Sequence, residues 1–193
     1  MSARTTPPFR ADHVGSLLRP ARLHQAREDH AAGRISAADL QQAEDEAIRD
    51  VVHMQSDVGL QSATDGEFRR TTWHMDFIYQ LGGIGRAEEN LKVHFRNQQG
   101  TFDFTTAALK VNDKVRLNHT IFADHFTALQ AMTTATPKLT IPSPSMVHYR
   151  GGPAAIDPSV YADIDEFWND LSAAYAEEVR RLAELGCTYL QFD

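Results

Sequence analysis

Two short stretches of the chain join ionisable side chains to a glycine turn, the combination that lets backbone approach a ligand closely while charge is held beside it. The first is Asp12-His13-Val14-Gly15-Ser16. With no side chain on Gly15, the amides of Gly15 and Ser16 can hold a carboxylate or the polar end of an amino acid; the same residues also read as an ordinary turn between strand and helix. The second, Asp65-Gly66-Glu67, sits at the end of the second predicted strand and offers a carboxylate acceptor to a substrate ammonium group. Acidic residues with glycine are equally common in surface turns. Asp193 is a further candidate, because it follows the apolar run Cys187 to Phe192 and so falls where a strand ends.

The nine histidines raise a metal reading. Zinc sites usually reveal themselves by spacings such as His-x-x-x-His or Cys-x-x-Cys, and no such pair occurs here, so no metal ligand and no catalytic residue is assigned. His24 and His53 fall on predicted helices, whereas His13, His74 and His148 lie near predicted strand or loop ends and are candidate site-lining residues. Cys187, the single cysteine, precedes an apolar strand and reads as a small buried hydrophobe; it excludes an intrachain disulfide. Gly82-Gly83-x-Gly85 and Gly151-Gly152 lack the lysine and the strand-to-helix context of a phosphate loop, which argues against nucleotide binding.

The elements that must position these residues follow a strand-then-helix order. Phe9 to Val14 reads as a strand that breaks at Gly15-Ser16, with Pro20 at a first helical position. Ser36 to Asp39 resembles a capping box, and Leu40, Ala43, Ala47, Val51, Met54 and Val58 recur at helical spacing until Gly59. A strand over Leu60 to Phe68 and a helix over Thr72 to Leu81 follow, stopped by Gly82-Gly83. Alternation at Val93/Phe95 and Phe102/Phe104 around Asn97-Gln98-Gln99-Gly100 predicts a β-hairpin, an excursion from the repeat. A helix over Ile121 to Thr134, a strand over Lys138 to Ile141 and a long helix from Tyr161 to Leu185 come next. That last helix presents Ile164, Phe167, Leu171, Tyr175, Val179 and Leu182 on one face and stops at Gly186 before a strand over Cys187 to Phe192.

This order predicts an α/β fold with parallel strands and crossover helices, specifically a TIM (β/α)8 barrel present as roughly its first half. A full barrel takes about 250 residues, and only four core strands can be counted in the 193 here. The expectation is one incomplete barrel domain over residues 1–193. The strands ending near Val14, Glu67, Pro142 and Asp193 should lie side by side, with Ser16, Glu67 and Asp193 at one common end. An open edge of that kind predicts an oligomer or the remainder of a longer chain.

A 42% apolar content supports a packed core, and the net charge of −7, with dispersed basic residues, argues against nucleic acid as a partner. The start of the chain has no apolar core of a signal peptide, and no run approaches the length that spans a bilayer, which places the protein in the cytoplasm and away from membranes.

Ala11-Asp12-His13-Val14-Gly15-Ser16-Leu17-Leu18-Arg19-Pro20, Thr64-Asp65-Gly66-Glu67-Phe68-Arg69-Arg70 with Trp73-His74, Ile141-Pro142-Ser143-Pro144-Ser145-Met146 and Leu190-Gln191-Phe192-Asp193 together resemble cobalamin-independent methionine synthase. More narrowly, they resemble the stand-alone relatives that match its catalytic C-terminal barrel. The resemblance implies a zinc-dependent methyltransferase that moves a methyl group from methyltetrahydrofolate to the thiol of homocysteine, a small-molecule substrate, to make methionine. It matches Val14, Gly15 and Ser16 to the turn that holds the homocysteine backbone, Glu67 to the acidic residue facing its amino group, and Asp193 to the aspartate of a Gln-x-Asp strand. This chain would then supply the amino-acid end of the site. The family's zinc ligands lie downstream of that strand and so are not in this chain; Cys187 matches none of them. The alternatives are alkyl transfer to another thiol such as coenzyme M, since the Asp-His-Val-Gly-Ser form is typical of less defined relatives, and a truncated, inactive or binding-only fragment.

Overall fold

A computed structural model describes residues 5–87, 91–97, 100–106, 108–149 and 151–193. In chain order the elements begin with helices α1 (Ala21–Ala31) and α2 (Ala37–Asp57), the short strand β1 (Ser62–Ala63) and helix α3 (Met75–Ile78). Strands β2 (Gly82–Arg86), β3 (Leu91–Asn97), β4 (Gly100–Thr106) and β5 (Leu109–Arg116) follow, then helix α4 (Ala123–Met132), strands β6 (Thr136–Pro137) and β7 (Leu139–Ile141), and helix α5 (Met146–Tyr149). A 3-10 turn (Gly152–Ala155), helix α6 (Ile164–Glu184) and strand β8 (Leu190–Phe192) complete the chain. The chain divides into two compact units, one taking the chain up to Trp73 with Phe122–Ile141 and Leu182–Asp193, the other taking His74–Ile121 and Pro142–Arg181.

In the first unit the strands are parallel, as the βα order requires. β1 pairs with β6, Ser62 opposite Thr136, and β7 pairs with β8, Leu139 opposite Leu190. β6 and β7 are separated by Lys138 alone, so one extended run meets β1 through one set of amides and β8 through the other: Lys138 N–H reaches Ala63 O, and Leu139 N–H reaches Tyr189 O. The strands form an α/β arrangement, but among the described residues no barrel closes. The expected first strand, Phe9 to Val14, carries no ladder among the described residues. The carbonyls of His13 and Val14 are taken instead by the buried side chains of Lys138 and Thr140.

The apolar face of α2 builds this unit's core. Ala47, Ile48, Val51 and Val52 pack with Leu23 of α1, Leu129 of α4, Ala63 and Phe68. Each fully buried aliphatic side chain contributes about 1.5–3 kcal/mol by leaving water. The capping box forms as its sequence suggests: Ser36 Oγ accepts from Asp39 N–H, and Asp39 accepts from Ser36 N–H. The buried stripe sits slightly round the helix from the expected one, leaving Met54 and Val58 exposed and burying Ile48, Val52 and Gln55. Pro20 is the residue before α1 rather than within it.

In the second unit the hairpin forms, β3 against β4 with Val93 opposite Phe104 and Phe95 opposite Phe102; its turn residues 98–99 lie outside the described residues. Gly82-Gly83 does not merely stop a helix. It opens β2, which pairs antiparallel with β5 through an irregularity between Gly82 and Ile84. The helix expected over Thr72 to Leu81 is confined to α3, with turns on either side. On α6, Phe167, Leu171, Tyr175 and Leu182 are buried as their spacing requires, but Ile164 and Val179 are exposed and Glu178 is buried instead. Its carboxylate explains the rotation, since Oε2 accepts from Ile121 N–H at 3.1 Å. Among the described residues no helix is long and apolar enough to cross a membrane.

Candidate functional site

The turn Asp12 to Ser16 is held by side chains rather than by a ladder. Lys138 Nζ donates to His13 O at 2.5 Å, Thr140 Oγ1 to Val14 O at 2.5 Å, and Thr64 Oγ1 to Gly15 O at 2.7 Å. These peptides are trans, so within each peptide plane the tied carbonyl points one way and the next residue's N–H the opposite way. Among the described residues the amides of Val14, Gly15 and Ser16 have no protein acceptor. Val14 and Ser16 are exposed and Gly15 is buried. The result is three free backbone donors on an open turn whose back is fixed, a geometry suited to an anion.

Glu67 lies against this turn. A Cβ on Gly15 would stand 3.0 Å from Glu67 Oε1 and 2.6 Å from Thr140 Oγ1, so only glycine lets carboxylate and turn come this close. Glu67 adopts a left-handed backbone, φ 59°, costly for a residue with a side chain, and several bonds hold it there. Its N–H donates to Asp65 Oδ1 at 2.8 Å, and Arg19 Nη2 donates at 2.7 Å to both Glu67 O and Arg70 O. Arg70, fully buried, places Nη1 3.7 Å from Glu67 Oε2 while its Nη2 donates to Thr140 O at 2.7 Å.

Burial pushes the Glu67 carboxyl above its ordinary range; Arg70 opposes this and the charges of Asp65 and Asp193 add to it. Asp193 is thus close enough to be felt by Glu67. It is exposed at the end of β8, and its N–H donates to Ile141 O at 2.9 Å. Among the described residues Asp65 Oδ2 is buried with no hydrogen-bond partner, leaving acceptor capacity beside Glu67.

Asp12 supports the turn from behind. Its Oδ2 pairs with Lys138 Nζ at 2.8 Å and accepts from the Tyr189 hydroxyl, while Oδ1 accepts from Ser62 Oγ at 3.1 Å. Burial alone would raise its pKa, but the bonds from Lys138 and Tyr189 outweigh it and hold the carboxyl low.

Of the histidines considered, His13 turns its Nε2 toward Gln55 Oε1 of α2 at 2.9 Å, which anchors the turn to the helix. His74 and His148 belong to the other unit. His74 is buried ahead of α3, where its carbonyl accepts from Phe77 and Ile78; His148 lies on α5 with its ring 5.4 Å from Trp168.

Lys138, Thr140, Arg19, Arg70 and Gln55 were not expected to shape this region. The alternation Lys138-Leu139-Thr140-Ile141 does carry a signal, since all four are buried and the two polar members share one face of the strand.

A model of the family described as "Cobalamin-independent synthase, Catalytic domain" matches residues 9–193. The chain belongs to this family. Among members of known structure, it resembles a "Putative Vitamin-B12 Independent Methionine Synthase" from Listeria monocytogenes with a TM-score of 0.78 and 35% identity, covering 97% of this chain and 52% of that one. A B12-independent methionine synthase from Shewanella sp. W3-18-1, solved in complex with selenomethionine, shares the fold with a TM-score of 0.67 at 20% identity, covering 93% of this chain and 50% of that one. The "Uncharacterized protein YxjH" of Bacillus subtilis (strain 168) is 38% identical over 187 residues, 96% of this chain and 48% of its own length. The chain therefore spans about half the length of these synthase-family relatives.

The zinc ion that the resemblance implies does not fit the donors described. Among the described residues no group of three His, Cys, Asp or Glu is placed to hold a metal. The half-buried Cys187 thiol has its pKa pushed up by burial and points to Tyr189 O at 3.6 Å.

Proposed function

We propose that the chain carries the amino-acid-binding part of a cobalamin-independent methyltransferase that moves a methyl group from a methyltetrahydrofolate to the sulfur of homocysteine, forming methionine. Residues 1–193 are read as a single incomplete barrel domain, roughly the first half, with Val14, Gly15, Ser16, Glu67 and Asp193 at the substrate's amino-acid end. In the transfer the sulfur bonds to the methyl carbon as the bond from that carbon to the folate nitrogen breaks; the thiol proton is released and the nitrogen takes up a proton in place of the methyl group. This chain's share is to bind and orient the amino acid.

One observation carries the reading: three amides at Val14 to Ser16, with no acceptor among the described residues, lie beside the buried Glu67 carboxylate, whose Oε1 is 3.0 Å from where a Gly15 Cβ would stand. An α-amino acid bears a carboxylate and an ammonium on one carbon, the complement of amide donors next to a carboxylate acceptor. The same pairing disfavours coenzyme M. Its sulfonate could take the amides, but with no ammonium it would bring an uncompensated negative charge beside Glu67 and Asp65.

Titration calorimetry of the chain tests this with L-homocysteine, its des-amino analogue 4-mercaptobutanoate, and coenzyme M. A lost charge-assisted contact is worth about 1.5–3 kcal/mol, so the des-amino analogue should bind about ten- to a hundredfold more weakly. Coenzyme M binding as tightly as L-homocysteine would overturn the assignment.

A further inference from the structure

We infer that Lys138, together with Thr140, is a positioning residue that sets the direction of the turn's amides and so selects for a substrate carboxylate. The inference rests on the reading that this turn receives that carboxylate. Lys138 is 1% exposed, an expensive place for an ammonium group. Its charge is matched by Asp12 at 2.8 Å, and the Tyr189 ring lies 4.9 Å from Nζ. A buried ion pair of this kind often gives no more stability than apolar residues of the same shape, so stability alone is a poor account of it.

What an apolar residue could not supply is the bond to His13 O at 2.5 Å. That bond fixes one peptide plane and thereby the N–H of Val14; the bond from Thr140 to Val14 O fixes the next plane and the N–H of Gly15. Both donors come from one polar face of the β6–β7 run, so the strand serves as a template for the turn. Lys138 does not act as a charge on the ligand, because Asp12 neutralises it. Its effect is geometric, and it should be felt by a carboxylate and not by a neutral group in the same place.

The test compares L-methionine with L-methioninol, which keeps the ammonium and side chain but replaces the carboxylate with an alcohol, on the 193-residue chain and its variants. The native chain should prefer L-methionine about tenfold or more. Lys138→Met should weaken L-methionine about tenfold while changing L-methioninol by less than about twofold. Thr140→Val, nearly isosteric and leaving the ion pair intact, should show the same selective loss. If Lys138→Met fails to fold because Asp12 is left unpaired, the double variant Asp12→Asn/Lys138→Met removes both charges and is read by the same ratio. Equal weakening of both ligands, or an unchanged ratio in every folded variant, overturns the inference while leaving the carboxylate seat in place. A native chain that binds both ligands equally overturns the seat itself and the inference with it.

Discussion

Gly15→Ala should destabilise the chain, although glycine-to-alanine changes often do the opposite. Gly15 is not in the left-handed region, so alanine meets no backbone penalty there and reduces the freedom of the unfolded chain, a gain of about 0.4–1 kcal/mol. Against this stands the space. The new methyl would lie 2.6 Å from Thr140 Oγ1, 3.1 Å from Thr140 Cβ and 3.0 Å from Glu67 Oε1. Thr140 is buried on a paired strand, and its Cβ cannot swing away, so strand and turn must part. Overpacking of this kind costs about 1–3 kcal/mol, and losing the Thr140 bond to Val14 O costs a further 0.5–1.5 kcal/mol or about that. The net loss is about 2 kcal/mol, a sizeable share of the roughly 5–15 kcal/mol that holds a domain. In urea, with a slope of about 2 kcal/mol per molar, the midpoint should fall by about 1 M. Tryptophan fluorescence follows the transition. A midpoint that holds or rises would show that the turn and Thr140 are not packed as described, and would remove the structural reason for glycine at this position.

Glu178 is buried and its carboxyl is pushed up to about 7, chiefly by desolvation. Its contribution is therefore fully present below the ordinary glutamate range and lost as pH rises through about 7, with a ceiling of about 3 kcal/mol; Glu178→Gln should flatten the fall in stability between pH 5 and 7, or about that window, and an unchanged pH slope would refute it. Gln55→Leu should cost about 2–4 kcal/mol, because the buried amide donates to Val51 O and Thr64 O and accepts from Thr64 N–H. A loss within about 0.5 kcal/mol in the same urea assay, the size expected of a surface change, would mean that these bonds are not formed.

How far each feature could be read from the chain depends on where its partners lie. The capping box of α2, the β3–β4 hairpin and the stop at Gly186 are local: their partners lie close along the chain, the hairpin's outermost pair being Leu91 and Thr106, and they form as their patterns suggest. On α6 the pattern misled by a single residue, because hydrophobicity put Val179 inward where a backbone N–H of Ile121, 57 positions away, draws in Glu178. The turn at Asp12 to Ser16 is the extreme case. Its glycine and its bend are legible, but among the described residues its expected strand is absent, since the donors to its carbonyls, Lys138, Thr140 and Thr64, stand 125, 126 and 49 residues away. The direction of the amides is then a tertiary property, invisible in the motif itself. On the proposal made above, a chain could keep Asp-His-Val-Gly-Ser intact and still lose the carboxylate seat by changing one buried lysine, and the alternating polar residues of the β6–β7 run would then say more about what the turn can bind than the turn's own side chains do.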